Sequence, residues 1–230
     1  MNNVLITGAA RGLGLELVRA HLAEEFHVYA LVREISREIQ ALSEENNRLH
    51  VFTCDISSTD SVKSVMVQIS GKIEKLDRVF NNAGIFRFED WVMLQQTDLD
   101  YIKEMVNTNA VGALRIVKEG MELLVEGTII VNISSEAGSI GACSSKALYA
   151  YHMSKAAMNM GARIMDNDLH ERGVRTVLIH PGRMKTGMGG THSDIYPSEA
   201  AASLMKLLAN ISAIPREQQF MDYKGNPFAW

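Results

Sequence analysis

Tyr151 and Lys155 stand four residues apart in a stretch, 148–172, whose pattern predicts a helix. Residues at that spacing lie one above the other on the same helical face. The sequence therefore sets an ammonium beside a phenol. A free phenol titrates at about 10 and exchanges protons poorly at neutral pH. A fixed positive charge nearby favours the phenolate and lowers that value. A drop of about 3 units takes roughly 4 kcal/mol of differential stabilisation. Such a pair suits general acid–base chemistry at a carbonyl or an alcohol. The same spacing also occurs on plain helix surfaces, so the rest of the chain has to decide between the two.

A second cluster runs from Thr7 to Gly14, between a predicted strand at 3–7 and a predicted helix at 13–25. Gly8 permits a tight turn, Gly12 lets a pyrophosphate approach the backbone, and Gly14 allows close helix packing. The helix start offers free N–H groups and a partial positive charge to that pyrophosphate. The spacing is G-x-x-x-G-x-G rather than G-x-G-x-x-G, but the strand before and the helix after are the context a dinucleotide site needs. At the end of the second predicted strand, Val32 is followed by Arg33, with no Asp or Glu to bond ribose hydroxyls. A guanidinium suits a phosphate, and Arg11 in the glycine loop adds a second one. This favours NADP(H), with NAD(H) as the alternative. The competing reading is a solvated Arg33 paired with Glu34. Asp55 either accepts from an adenine amino group or caps a turn. Asn82, Ala83 and Gly84 either lie against the adenosine or, through the asparagines, tie neighbouring strands together.

To position these residues the chain alternates short β-branched runs with amphipathic segments. Strands are expected at 3–7, 27–32, 49–54, 76–81, 128–133, 174–180 and 219–222. Helices are expected at 13–25, 36–45, 58–71, 98–124, 148–172 and 198–210. Strands alternating with helices imply an α/β fold with a parallel sheet covered on both faces. Right-handed crossovers leave the Rossmann-type doubly wound sheet of about seven strands, with ligands at the carboxyl ends of the strands. No linker or composition break divides residues 1–230. The glycine-rich stretch 182–190 reads as a loop.

The motifs together resemble the short-chain dehydrogenase/reductase family over essentially the whole chain. They occur in the family's order: Thr7 to Gly14, Asp55, Asn81 to Gly84, Asn109, Asn132 to Ser135, Tyr151 with Lys155, and Pro181-Gly182. Within the family the chain is most similar to the carbonyl-reductase subgroup of sniffer-type and C-factor-like proteins, through 134–159 and the ending at Trp230. The resemblance implies a general acid–base role for Tyr151 and a nicotinamide-ribose bond for Lys155. It implies that Ser135 bonds the substrate oxygen, rather than the adjacent Ser134, and that Asn109 helps hold a water chain to Lys155. It implies a cofactor set of Gly8, Arg11, Gly12, Leu13, Gly14, Arg33, Asp55, Ile56, Asn82, Ala83, Gly84, Tyr151, Lys155, Pro181, Gly182 and Thr186. A substrate loop is expected at about 183–197. Arg183 and Gly187 depart from the aromatic and acidic residues common there, which bears on pocket shape. The stretch 141–148 reads as an inserted loop, and Tyr149 as packing or a pocket wall.

The implied function is NADPH-dependent reduction of an aldehyde, ketone or quinone, with a dinucleotide-binding regulator as the alternative. Oligomers, dimeric or tetrameric, are implied through the helices at 98–124 and 148–172. The 230 residues carry a net charge of −4, which gives no reason to expect nucleic-acid or membrane partners. Cys54 and Cys143 lack metal-ligand spacing, no metal site is expected, and Cys54 reads as a small core residue. With no leader or span pattern, a cytoplasmic protein is expected. His180 reads as a structural residue. His152, adjacent to Tyr151, does not share its face.

Overall fold

The computed structural model describes residues 1–185 and 193–230. Among them, seven strands form one parallel sheet in the order β3-β2-β1-β4-β5-β6-β7. The strands are β1 (Asn3–Thr7), β2 (His27–Val32), β3 (Leu49–Thr53), β4 (Leu76–Asn81), β5 (Leu124–Ile133), β6 (Arg175–His180) and β7 (Phe220–Asp222). Successive side chains of a strand point to opposite faces. Val4 and Ile6 of β1 accordingly pack on one face, with α1 (Gly12–Ala23), Ile39 of α2 (Arg37–Glu45) and α7 (Pro197–Ala209). Leu5 packs on the other, with α3 (Thr59–Ser70), α5 (Gly112–Glu119) and the far end of α6 (Tyr149–Leu169). The order reverses between β1 and β4, which opens a crevice at their carboxyl ends.

Two elements differ from the sequence-based expectation. The helix expected at 98–124 is three pieces: α4 (Leu99–Val106), a π-helical turn (Asn107–Val111) and α5. A π turn adds a residue and leaves the α-helical bonding pattern. Here Arg115 donates to the Asn107 carbonyl at 3.2 Å and to its side-chain oxygen at 2.6 Å. The same guanidinium donates to Thr59 Oγ1 and to the Ile56 carbonyl. This fastens the turn to the segment after β3. β5 begins at Leu124, not at 128, because a bulge absorbs the polar Glu126-Gly127 pair. The register with β4 shifts between Leu76 and Arg78, and Gly127 takes a positive φ of 88°. Thr128 Oγ1 bridges the gap, donating to Leu76 O at 2.6 Å and accepting from Val125 N at 3.1 Å.

Helix α6 starts from Leu148 in a left-handed conformation (φ 61°) and runs 21 residues. Met158 and Met165 of this helix are core, whereas Met153 and Met160 are exposed. No helix among the described residues is long and apolar enough to cross a membrane. Cys54 is buried, as a small core residue would be, and Cys143 is exposed.

Candidate active site

The crevice at the ends of β1 and β4 begins with the glycine loop. Gly8 and Gly12 have φ of +67° and +56°, a region that favours glycine. A Cβ on Gly14 would lie 2.2 Å from the Gly8 carbonyl, so α1 can approach the loop only without one. Its first turn carries no acidic residue, and no side chain caps its first N–H groups. The start of α1 therefore offers an anion unpaired donors and the helix dipole. Leu13 is buried in the core behind the loop. Ser36 Oγ donates to Ala10 O at 2.8 Å while accepting from Ile39 N, and so ties α2 to the loop.

Arg11 and Arg33 are both exposed at the mouth of this crevice. Arg33 makes no ion pair with Glu34 among the described residues; its charge instead helps lower the Asp55 pKa, after the Ser57 hydrogen bonds. Asp55 is a turn cap: its Oδ1 accepts from Ser57 N at 2.9 Å and Ser57 Oγ at 2.7 Å. Ile56 is buried beside Gly112, where a Cβ would meet it at 2.8 Å. Asn82 has a structural task, donating to the carbonyls of Thr7 and Gly8 at 2.9 and 3.2 Å. Thr7 Oγ1 accepts from the Asn82 and Ala83 N–H groups, both at 3.0 Å. Asn81 and Asn132 extend this cross-strand lacing to β5 and β6. Free donors, a Cβ-free approach and two guanidiniums without an ion pair among the described residues together fit an anionic dinucleotide.

The candidate catalytic groups meet where β5 ends against α6. Lys155 is buried, and its Nζ donates to the Ile133 carbonyl at 2.8 Å, 5.8 Å from the Tyr151 ring centre. Burial lowers the amine from its ordinary value to about 8. Burial also pushes the Tyr151 phenol up; the Ser135 hydroxyl opposes that shift and the Glu136 charge adds to it. In the protein alone, then, the lysine is turned to a backbone carbonyl and does not depress the phenol as its spacing suggests. Desolvation is the largest cause of the phenol's shift. The two serines separate cleanly. Ser134 Oγ donates to Asn159 Oδ1 at 2.6 Å and is consumed there. Ser135 accepts from Ala137 N at 3.1 Å and faces the phenol.

Asn109 sits in the π turn and is buried. Its amide accepts from Ile85 N at 2.7 Å and donates to Ile85 O at 3.1 Å and Ser154 Oγ at 3.0 Å. Ser154 in turn donates to the Tyr151 carbonyl at 2.8 Å. Asn109 therefore anchors both the segment after β4 and helix α6. Gly84 fits against it, where a Cβ would come within 3.2 Å of its oxygen.

Pro181 and Gly182 follow β6, and Gly182 has φ of +85°. Arg183 pairs with Glu136 at 2.8 Å and so joins this loop to the residue after Ser135. Met184 bridges Ile195 at the neck of the loop. Thr186 and the rest of 186–192, within the expected substrate loop, lie outside the described residues. His180 Nδ1 accepts from Glu136 N at 3.3 Å, and its ring packs edge-on against Phe228, a structural role. His152 bonds the Ala137 carbonyl through Nδ1 at 2.9 Å, away from the reacting groups.

Sequence reasoning missed Phe86, Ser154, Asn159 and Glu136. Ser154 and Asn159 had a signal, since they stand three and four residues from Tyr151 and Lys155 on the same helix. Phe86 had none, because its contact with Tyr151 spans 65 positions of the chain.

The sequence pattern described as short chain dehydrogenase matches residues 2–195. The chain is 35% identical over 162 residues to the 1-hydroxy-2-glutathionyl-2-methyl-3-butene dehydrogenase of Rhodococcus sp. (strain AD45), covering 69% of this chain and 70% of that one. In structure it is similar to carbonyl reductase Sniffer of D. melanogaster, with a TM-score of 0.91, 29% identity and 100% of both chains covered. It is also similar to the NADPH-bound carbonyl reductase from chicken fatty liver, with a TM-score of 0.89, 29% identity, and 100% and 99% of the two chains covered.

Proposed function

The chain belongs to the short-chain dehydrogenase family, and from that premise we propose that it reduces an aldehyde, ketone or quinone to an alcohol with NADPH. The observation that supports this most is the meeting of Ser135, Tyr151 and Lys155 where β5 ends against α6. The scaffold around that pocket is similar along its whole length to carbonyl reductases, one of them NADPH-bound.

NADPH would lie along Gly8 to Gly14, with its extra phosphate toward Arg11 and Arg33 and its ribose hydroxyls toward Lys155 and Tyr151. When bound, it supplies the hydride. Tyr151 gives its proton to the carbonyl oxygen; burial alone makes the phenol a weaker acid, and the positive charges of Lys155 and the bound dinucleotide would offset that. Ser135 donates to the same oxygen, where charge develops as the bond breaks; a preset donor there is worth most. Lys155 brings positive charge to the ribose side and loses less to desolvation once it has hydroxyl partners. Asn109 keeps α6 and the segment after β4 at fixed separation. Residues 1–230 act as one unit in this reading. Exposed Met153, Met160 and Ile164 along α6 support association into dimers or tetramers.

NADPH oxidation against a carbonyl panel tests the reading. Tyr151→Phe should lower kcat by about 100-fold or more, the scale of a lost general acid, with NADPH binding kept. Equal rates in the variant would contradict the assignment. Tight NADPH binding with no turnover of any carbonyl would favour a dinucleotide-binding regulator instead.

A further inference from the structure

Gly84 and Ile85 lead out of β4 toward the phenol, and Asn109 holds both backbone groups of Ile85. The next residue is therefore delivered to a fixed place. It is Phe86, half-buried, with its ring centre 5.1 Å from that of Tyr151 and the planes at 81°. Phe88 repeats the arrangement on Phe86, at 5.0 Å and 89°, and remains 45% exposed. These are edge-to-face contacts, the favoured geometry for aromatic pairs. Arg87, between them, is engaged elsewhere. It bonds buried Asp90 at 2.7 Å and Asp98 at 3.3 Å, and lies 3.7 Å above the Tyr101 ring. The two phenylalanines thus share one side of the segment while a charged clasp on the other holds it in place.

Phe86 is an aromatic side chain in contact with the Tyr151 ring, and so a neighbour that a substituent on a carbonyl bonded to that phenol can meet. The residue after Ser135, by contrast, is Glu136, paired with Arg183. One boundary of the pocket is aromatic and another is charged. We propose that Phe86, backed by Phe88, is a specificity-determining residue that selects carbonyl substrates carrying a flat aromatic ring beside the carbonyl carbon. The proposal rests on the carbonyl-reduction reading. A ring-on-ring contact exceeds a saturated contact of similar area by about three- to tenfold in affinity.

The test compares 2-naphthaldehyde with its fully saturated decalin analogue, on the full chain with NADPH. Wild type should favour the aromatic aldehyde in kcat/KM by about three- to tenfold, mainly through KM. Phe86→Leu keeps an apolar side chain and removes the ring; it should bring that ratio close to one. Phe88→Leu, at a more exposed position, should lower it by a smaller factor. Should wild type reduce neither of these aldehydes nor any other carbonyl of the panel, the carbonyl-reduction reading fails, and the wall is judged by binding alone. In that case 2-naphthylmethanol should bind the NADP+-loaded protein more tightly than its saturated analogue in calorimetry. No aromatic preference in wild type, or a preference unchanged in Phe86→Leu, would overturn the proposal.

Discussion

Burial acts on both candidate catalytic groups: it raises the Tyr151 phenol and lowers the Lys155 amine to about 8. The first shift makes the phenol a weaker acid, so positive charge has to offset it before Tyr151 can donate readily. The second leaves the amine mostly charged at pH 7 and short of partners, since the Ile133 carbonyl is its one hydrogen-bond acceptor among the described residues. Ribose hydroxyls are groups such an amine would gain by binding. The guanidinium of Arg33 is exposed, and no carboxylate among the described residues pairs with it at ion-pair distance. Arg33→Ala should cut the NADPH-over-NADH affinity ratio by about tenfold, the scale of a lost charge-assisted contact. Titration of both cofactors against wild type and variant reads this directly, and an unchanged ratio would remove Arg33 from the phosphate site. At this scale spacing revealed the Tyr151–Lys155 pair, but not the direction of the phenol's shift. That depends on how far the fold desolvates the phenol, which no local pattern records.

The elements that carry the site are held by polar side chains as much as by core packing. The π turn is one case: Asn107 and Arg115 fasten it to the end of β3, while Asn109 fastens it to β4 and α6. Its sequence reads as ordinary helix, because the break is stabilised by partners about 50 residues away. Helix α1 is another. His21 is fully buried, bonds the Leu17 carbonyl through Nδ1 at 2.7 Å, and meets Arg78 at Nε2, 3.2 Å away. With Nδ1 donating, Nε2 is free to accept from Arg78, so the neutral ring fits. Burial foremost lowers its pKa to about 4. The folded ring thus resists a proton that the unfolded chain accepts below 6.5. This stabilisation is complete above pH 6.5 and drains away as pH falls to 4, by roughly 3 kcal/mol in all. Urea unfolding at pH 7, 5.5 and 4.5 should show the loss, and His21→Gln should flatten it. Parallel pH curves for the two proteins would place the acid sensitivity elsewhere.

For the molecule as a whole, the doubly wound sheet was legible because each strand and helix has its own hydrophobic period and the crossovers admit few topologies. The bulge that starts β5 early was not legible, because Glu126-Gly127 reads as a turn and only the β4 partner shows that the strand continues through it. The switch between β1 and β4 then places the glycine loop, the guanidiniums and the Tyr151 pocket along one crevice. The central claim is that this crevice turns a half-buried phenol into an acid tuned by Lys155 and the bound dinucleotide. Its direct test is the phenolate absorbance of Tyr151, isolated as the difference between wild type and Tyr151→Phe and titrated with and without NADP+. The phenol should ionise at distinctly lower pH when NADP+ is bound, and Lys155→Met should abolish that displacement. One superimposable titration curve with and without the dinucleotide would contradict the account.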